Sequence, residues 1–253
     1  MKMKKIVSIV TLFLAMSFSH SYAAHPLITD DTGTQGKGKF QLELNSEYGV
    51  EKENGVTEKT FEFAPTLSYG LTDTIDIVVG VPYQHIKVED GGTAKESGLS
   101  DMSIEAKWRF FEKEGLSFAI KPGISIPTGD EDKGLGTGKV GYSAYFITTK
   151  EMKPVNLHLN LGYIRNENKF DERKNILHAS LAGEYEATEK LKIVANIGTE
   201  TNPDKASNVS PAFALAGVIY SVTEDVSVDA GYKYGLNKPE TDNTYLFGIA
   251  IKF

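Results

Sequence analysis

Apolar and polar residues alternate along this chain in twelve separate stretches. Residues 155–163 show the pattern well, because every odd position is Val, Leu or Tyr and the even positions are Asn, His or Gly. Strand side chains point to opposite sides with period two, so the alternation predicts β-strands that each have one apolar face. The predicted strands lie near residues 39–50, 60–69, 75–83, 102–110, 117–126, 140–146, 155–163, 177–185, 191–198, 209–221, 226–234 and 245–253.

The connections between these strands alternate in length. Short ones are predicted near residues 71–74, 112–115, 151–154, 188–190 and 223–225. Longer polar ones are predicted near residues 51–58, 89–100, 128–138, 166–174, 202–208 and 237–242. Five short and six long connections are what a twelve-stranded barrel with both ends in the periplasm requires. The sequence therefore predicts an all-β fold, an antiparallel up-and-down transmembrane barrel.

The second face of the predicted strands is charged, which bears on the choice between a membrane barrel and a soluble one. A soluble lipocalin-type barrel turns its apolar face inward and closes with about eight strands. Here the other face mixes acids with bases, and such residues suit a wet lumen while the apolar face meets lipid. The candidates for the lumen wall and transport path are Glu43, Glu62, Glu105, Lys107, Arg109, Lys121, His158, Asn160, His178, Asp229 and Lys233.

Both ends of the chain favour export to the outer membrane. Lys2, Lys4 and Lys5 precede an apolar run at residues 6–18 and a small-residue cleavage site at 21–23, as in a signal peptide. The alternative, a membrane anchor, is less favoured because the run is short of the ~20 residues that span a bilayer. The terminal Phe253 is typical of the signal read by the barrel-assembly machinery. We therefore predict a signal peptide at 1–23, an N-terminal segment at 24–37 and a barrel at 38–253, in a Gram-negative-type outer membrane.

The N-terminal segment is polar, Gly-rich and too irregular for a strand. One hypothesis is that it folds into the lumen as a plug, with Asp30 and Asp31 meeting basic wall residues such as Lys107, Arg109 or Lys121. The other is that it hangs in the periplasm, since termini are usually loose unless they are tied down.

Composition excludes several classes of protein. Without Lys2, Lys4 and Lys5 the chain keeps 24 basic and 34 acidic residues, a formal charge of −10, so nucleic acid is not an expected partner. The absence of cysteine excludes a disulfide scaffold and a thiolate site. The expected partners are outer-membrane lipid, the assembly machinery and small-molecule cargo.

Three motifs resemble ligand-binding or metal-binding sites, but each is better explained as an ordinary loop or wall feature. The glycines of residues 134–138 lie between strands, which excludes a dinucleotide fingerprint and indicates a flexible loop. The acidic run 130–132 could hold Ca²⁺, but such runs are usually only solvated. His158 and His178 could form a metal or pH-sensitive point in the pore, although wall packing is favoured without a third ligand. We predict no cofactor and no metal.

An outer-membrane phospholipase is the enzymatic alternative, since that class also uses twelve strands. It needs a paired Ser and His on the lipid side. Both strand histidines are predicted to point inward, so we expect no enzyme.

The chain resembles the outer-membrane proteins grouped under the MetA pathway of phenol degradation. The matching stretches are residues 25–34 (HPLITDDTGT), 69–73 (YGLTD), 126–130 (IPTGD), 134–138 (GLGTG) and 157–163 (LHLNLGY). The resemblance implies a barrel that moves small, apolar or aromatic compounds passively across the outer membrane. Because no single sign of charge dominates the predicted lumen, a channel for acidic oligosaccharides is disfavoured. A closed structural barrel with an ion-paired lumen remains the alternative.

Overall fold

The computed structural model describes residues 25–253, so the predicted signal peptide lies outside the described residues. Alternating side chains form long strands joined mostly by tight turns. The strands are β1 (Phe40–Glu53), β2 (Val56–Gly70), β3 (Ile75–Gly80), β4 (Tyr83–Glu89), β5 (Thr93–Leu99), β6 (Met102–Lys113), β7 (Leu116–Ile126), β8 (Gly141–Met152), β9 (Val155–Arg165), β10 (Asn175–Glu186), β11 (Leu191–Glu200), β12 (Ala212–Ser221), β13 (Val226–Gly235) and β14 (Asn243–Lys252).

The strands close into an antiparallel barrel, because β1 pairs with β2 on one side and with β14 on the other. Fourteen labelled strands make twelve wall strands. β3 and β4 both pair with β2 and form one wall strand, interrupted at Val81 and Pro82. β5 and β6 form the next, interrupted at Ser100 and Asp101. Proline has no N–H for a strand ladder, which explains a break at Pro82. The predicted twelve-stranded barrel is confirmed.

Two predicted long loops are largely strand. In place of a loop at residues 51–58, β1 and β2 continue to a two-residue turn, with Asn54 and Gly55 both at positive φ. Asn-Gly is the preferred sequence for the two-residue hairpin turn whose twist matches that of the strands. The polar composition of residues 51–58 predicted a loop and hid this turn signal. In place of a loop at residues 89–100, β5 forms a hairpin with β4 and is itself largely exposed. The strands near these loops therefore extend beyond the predicted bounds on the long-loop side.

The outer face of the barrel is apolar, as membrane contact requires. Leu161, Leu177 and Phe247 point outward with 50%, 63% and 58% of their surface exposed, and only lipid would cover them favourably. The described part of the chain contains no helix long and apolar enough to cross a bilayer. At the strand ends Phe253 stacks on Phe40, with ring centroids 5.6 Å apart. The barrel is therefore an outer-membrane protein, with its short turns and both barrel ends on one side.

The inner face is less uniformly polar than the alternation predicts. Part of it carries buried apolar residues, Ala182, Val194, Phe213, Leu215, Ile219 and Leu246, which form one cluster with Leu27 from the segment before β1. A second buried cluster contains Tyr145 and Ile147 with three neighbours on β7, β9 and β10. The lumen wall thus offers both charged and apolar surface to whatever lies inside.

Candidate lumen site

The described part of the N-terminal segment, residues 25–37, enters the barrel and contacts its inner wall. Asn196 on β11 accepts hydrogen bonds from the backbone N–H groups of Ile28 and Thr29, at 2.8 and 3.0 Å. Three wall strands further round, Thr149 on β8 accepts from the N–H of Thr32 at 3.1 Å. Further along, Asp76 on β3 accepts from the N–H of Gln35. The segment therefore crosses the lumen from one wall to the other.

Asp30 is the electrostatic centre of this contact. Its carboxylate lies 2.7 Å from Lys107 Nζ and 2.7 Å from Lys121 Nζ, and the side chain is fully buried. Lys121 also lies 3.4 Å from Glu105. We call Asp30, Glu105, Lys107 and Lys121 the ionic cluster. Burial alone would raise the pKa of Asp30, but the two lysines outweigh burial and hold that pKa well below its ordinary value.

Asp31 and Asn160 complete the surroundings of Asp30. Asp31 is one-third exposed and lies 4.0 Å from Lys107, so its contact is much weaker. Asn160, with its amide turned to satisfy both atoms, donates to the carbonyl of Asp30 and accepts from its N–H at 2.6 Å. The structure therefore brings Asp30 together with Lys107, Lys121 and Asn160.

The start of the segment is held on the other side of the barrel. His25 Nδ1 lies 2.5 Å from the carboxylate of Asp229, and both side chains are buried. Pro26 fills a groove between Gly217 and Gly231, which face each other across β12 and β13. Leu27 is 3% exposed and packs in the apolar cluster of the inner wall. The contact of His25 with Asp229, the fit of Pro26 between two glycines and the burial of Leu27 thus all hold the start of the segment against this wall.

The groove predicts the effect of a single methyl group. A Cβ at Gly231 would lie 2.7 Å from Pro26 Cβ, whereas one at Gly183 would meet Leu157 at an ordinary 3.6 Å. We expect Gly231→Ala to weaken docking of the segment by about 1–3 kcal/mol through overpacking. Trypsin cleavage after Lys37 should accelerate in Gly231→Ala and stay unchanged in Gly183→Ala. Equal cleavage rates in the two variants would contradict the groove.

Two cavities lie along the lumen on either side of the ionic cluster. The inner cavity, about 230 Å³, is at the short-turn end and is lined by charged residues that include Glu43, Asp76 and Lys192. The outer cavity, about 60 Å³, is at the long-loop end and is lined by residues that include Glu62 and Glu105. Asp30, Lys107 and Lys121 line the inner cavity and Glu105 the outer one. The ionic cluster therefore stands between them.

The other predicted wall residues mostly have local partners. Glu43 accepts from Gln41 at 2.5 Å, and Glu62 accepts from Gln84 at 2.6 Å. Lys233 pairs with Glu240 at 2.8 Å. One hypothesis paired Arg109 with Asp30 or Asp31, but Arg109 contacts neither. Its partners are Glu112 at 3.2 Å and the carbonyl of Asp73 near the short-turn end.

The two strand histidines point inward but do not form one site. His158 Nδ1 lies 3.0 Å from Thr149 Oγ1, and its Nε2 lies 3.9 Å from Glu184. His178 Nε2 lies 2.9 Å from Ser180 Oγ, and its Nδ1 lies 3.4 Å from Glu200. Among residues 25–253 no group of three or more metal-ligating side chains could hold a metal ion.

The glycine-rich loop is packed rather than loose. Asp101 accepts hydrogen bonds from the N–H of Gly129 at 2.9 Å and from the N–H and hydroxyl of Thr137 at 2.8 and 2.9 Å. Leu135 is 1% exposed and packs against Ile86 and Val88 of the inner wall. We call residues 127–140 the mouth loop, because it lies across the long-loop end of the barrel. In its acidic run, Asp130 pairs with Lys133 at 3.1 Å and Glu131 pairs with Lys169.

A family model described as "Putative MetA-pathway of phenol degradation" matches residues 25–253. The chain belongs to this family. Among solved structures it is similar to an outer membrane channel from Pseudomonas putida F1, with 13% identity, a TM-score of 0.68, and coverage of 88% of this chain and 98% of that one. It is also similar to the NanC porin, with 11% identity, a TM-score of 0.61, and coverage of 84% and 100%. No curated protein matches the sequence significantly.

A further similar structure is the translocator domain of the autotransporter NalP from Neisseria meningitidis. It is 12% identical, with a TM-score of 0.54 and coverage of 99% of this chain and 98% of that one. At such identities these structures show the shared fold alone, that of bacterial outer-membrane barrels.

Sequence reasoning missed Asn196, Gly217 and Asp101. Asn196 looked like one more polar wall residue, and Gly217 lies in a strand that is apolar on both faces. Asp101 lies between the predicted loop at residues 89–100 and the predicted strand at 102–110, and the pattern assigns it no role. A periodic pattern reports which face a residue occupies, but not which residue of a distant segment meets it.

Proposed function

We propose that this barrel is a passive channel for small molecules and that the N-terminal segment closes its lumen at rest. The observation that carries the proposal is the position of the ionic cluster. It lies between two cavities, and one of its members, Asp30, belongs to the segment rather than to the wall. Movement of the segment would remove Asp30 and join the cavities without any change in the wall.

The proposed cargo is small and apolar or aromatic. The family description, which refers to phenol degradation, supports this choice. The mixed charges of the inner wall also support it, because a lumen with no dominant sign of charge does not attract ions of one sign.

A closed structural barrel is the second candidate function. The buried pairs His25–Asp229 and Asp30–Lys107 favour it, since each ties the segment to the wall. An enzyme is disfavoured. Ser180 does pair with His178, but both side chains are buried on the inner face, whereas a phospholipase must meet acyl chains on the lipid side.

Single-channel recording of refolded mature protein in planar bilayers tests the proposal. We expect brief, low-conductance openings that phenol or toluene blocks in a concentration-dependent way. Heat modifiability on gels should show that the barrel is folded. Silence from a folded barrel would favour the structural barrel.

A further inference from the structure

The outer cavity has room for more than a single water. A cavity needs roughly 10–15 Å³ of such space to admit one water, and this one offers about 60 Å³. Part of its lining is apolar and includes Ala64, Val81, Pro82 and Ile164. The rest of the lining carries hydroxyl and carboxylate groups. This mixture is typical of pockets that hold small organic molecules.

The carboxylates around the outer cavity are already engaged. Glu62 accepts from Gln84 at 2.6 Å, and Glu105 pairs with Lys121 at 3.4 Å. Asp101 accepts three hydrogen bonds from the mouth loop. Three negative groups with existing partners disfavour an anion here and leave no bare carboxylate to attract a metal ion.

Two hydroxyl groups in the same cavity are not engaged. Thr66 Oγ1 and Ser125 Oγ are buried and have no hydrogen-bond partner within the protein. Thr66 is only 2% exposed. A buried polar group without a partner is costly, and each such group in a folded protein calls for an explanation. Both residues line the outer cavity, so a molecule inside it would supply the missing partner.

We propose that the outer cavity is a binding site for a small uncharged molecule that carries a hydroxyl group. Its hydroxyl would hydrogen-bond to Thr66, and its hydrocarbon part would lie against Ala64 and Ile164. The inference deepens the proposed channel function, since it gives the cargo a stopping place outside the ionic cluster. It also adds a chemical preference, because a hydrocarbon without a hydroxyl leaves the Thr66 hydroxyl unpaired.

Equilibrium binding to the detergent-solubilised barrel tests the site. Phenol and toluene have similar shapes and differ in the hydroxyl group, and benzoate adds a negative charge. We expect calorimetry to show saturable binding of phenol, binding of toluene weaker by about five- to ten-fold, and no binding of benzoate. This ratio is the size expected for one lost hydrogen bond.

Thr66→Val and Thr60→Val form a matched pair of variants. Both residues are on β2, and both have a buried, unpartnered hydroxyl, but Thr60 does not line the outer cavity. Valine keeps the shape, and neither substitution removes a hydrogen bond within the protein, so both barrels should fold. Thr66→Val should lose the preference for phenol over toluene, and Thr60→Val should keep it. Ala64→Leu should fill the cavity and abolish binding of both solutes.

The outcomes separate the site from the channel. Saturable binding by a folded barrel that gives no channel openings would overturn the channel and keep the site. Channel openings without saturable binding would overturn the site and keep the channel. Equal affinity for phenol and toluene, or equal effects of Thr66→Val and Thr60→Val, would overturn the proposed role of the Thr66 hydroxyl.

Discussion

Replacement of Asp30 by asparagine should increase the open probability of the channel at least a hundredfold. Asp30→Asn keeps the shape of the side chain but leaves Lys107 and Lys121 with only Glu105 as a charged partner in the ionic cluster. Breaking a buried ion pair from one side costs about 3–5 kcal/mol. Each 1.4 kcal/mol shifts an equilibrium tenfold, so the segment should leave the lumen for much of the time. Single-channel recording would measure the change directly.

Asp31→Asn is the matched control for this prediction. Asp31 is adjacent but one-third exposed and 4.0 Å from Lys107, so its removal should change open probability little. A variant that lacks residues 25–37 should give the upper limit, with stable open channels. Wild-type behaviour of both Asp30→Asn and the deletion would refute closure by the N-terminal segment.

The same carboxylate predicts how docking of the segment responds to acid. Since the folded pKa of Asp30 is depressed, its contribution to docking is fully present above the ordinary value of 3.8. It is lost only as the pH falls below that value, through the folded pKa. The Asp30 contribution should therefore stay constant from about pH 8 to pH 5. Opening by strongly acidic buffer in wild type, absent in Asp30→Asn, would agree with this sign.

Replacement of Asp101 by alanine should release the mouth loop. The substitution removes the acceptor of three hydrogen bonds and leaves the buried N–H groups of Gly129 and Thr137 unpaired. Such losses cost about 1–3 kcal/mol for each unsatisfied group. We expect trypsin to cut after Lys133 and Lys139 at least tenfold faster than in wild type. Mass spectrometry of the fragments would identify the cut sites.

Asp132→Ala is the control for the mouth loop. Asp132 is exposed and lies in the same loop, in a single turn of 3₁₀ helix, Glu131–Lys133. Its loss should leave cleavage at wild-type rates. If Asp132→Ala accelerated cleavage as much as Asp101→Ala, local charge rather than anchoring would explain the effect.

The sequence predicted the barrel well because period-two alternation is a strong local signal. Each of the twelve alternating stretches overlaps a wall strand, and Leu161 and Leu177 face outward as the pattern predicts. The predicted loops at residues 51–58 and 89–100 were wrong because polar composition alone does not distinguish a loop from a strand with polar, exposed side chains. The turn chemistry of Asn54-Gly55 was the better guide there.

The lumen site was predicted less completely, for a physical reason. Opposite charge predicts that Asp30 meets a basic residue of the wall. It does not distinguish among the three candidates on β6 and β7, which are Lys107, Arg109 and Lys121. The choice of Lys107 and Lys121 over Arg109 depends on strand register and on the path of the segment. Neither is encoded in local periodicity. The same holds for the unpartnered hydroxyl of Thr66, which becomes visible only when its neighbours are known.

The contact between His25 and Asp229 has a consequence for the order of assembly. These residues are 204 positions apart, and Asp229 lies on the last strand but one, β13. Contacts between such distant residues close a long loop, and they form only after intervening structure has brought them together. The segment is first in the described chain but must dock nearly last, when β13 and β14 complete the seam with β1. The time at which His25 becomes protected from solvent would therefore report when the barrel closes.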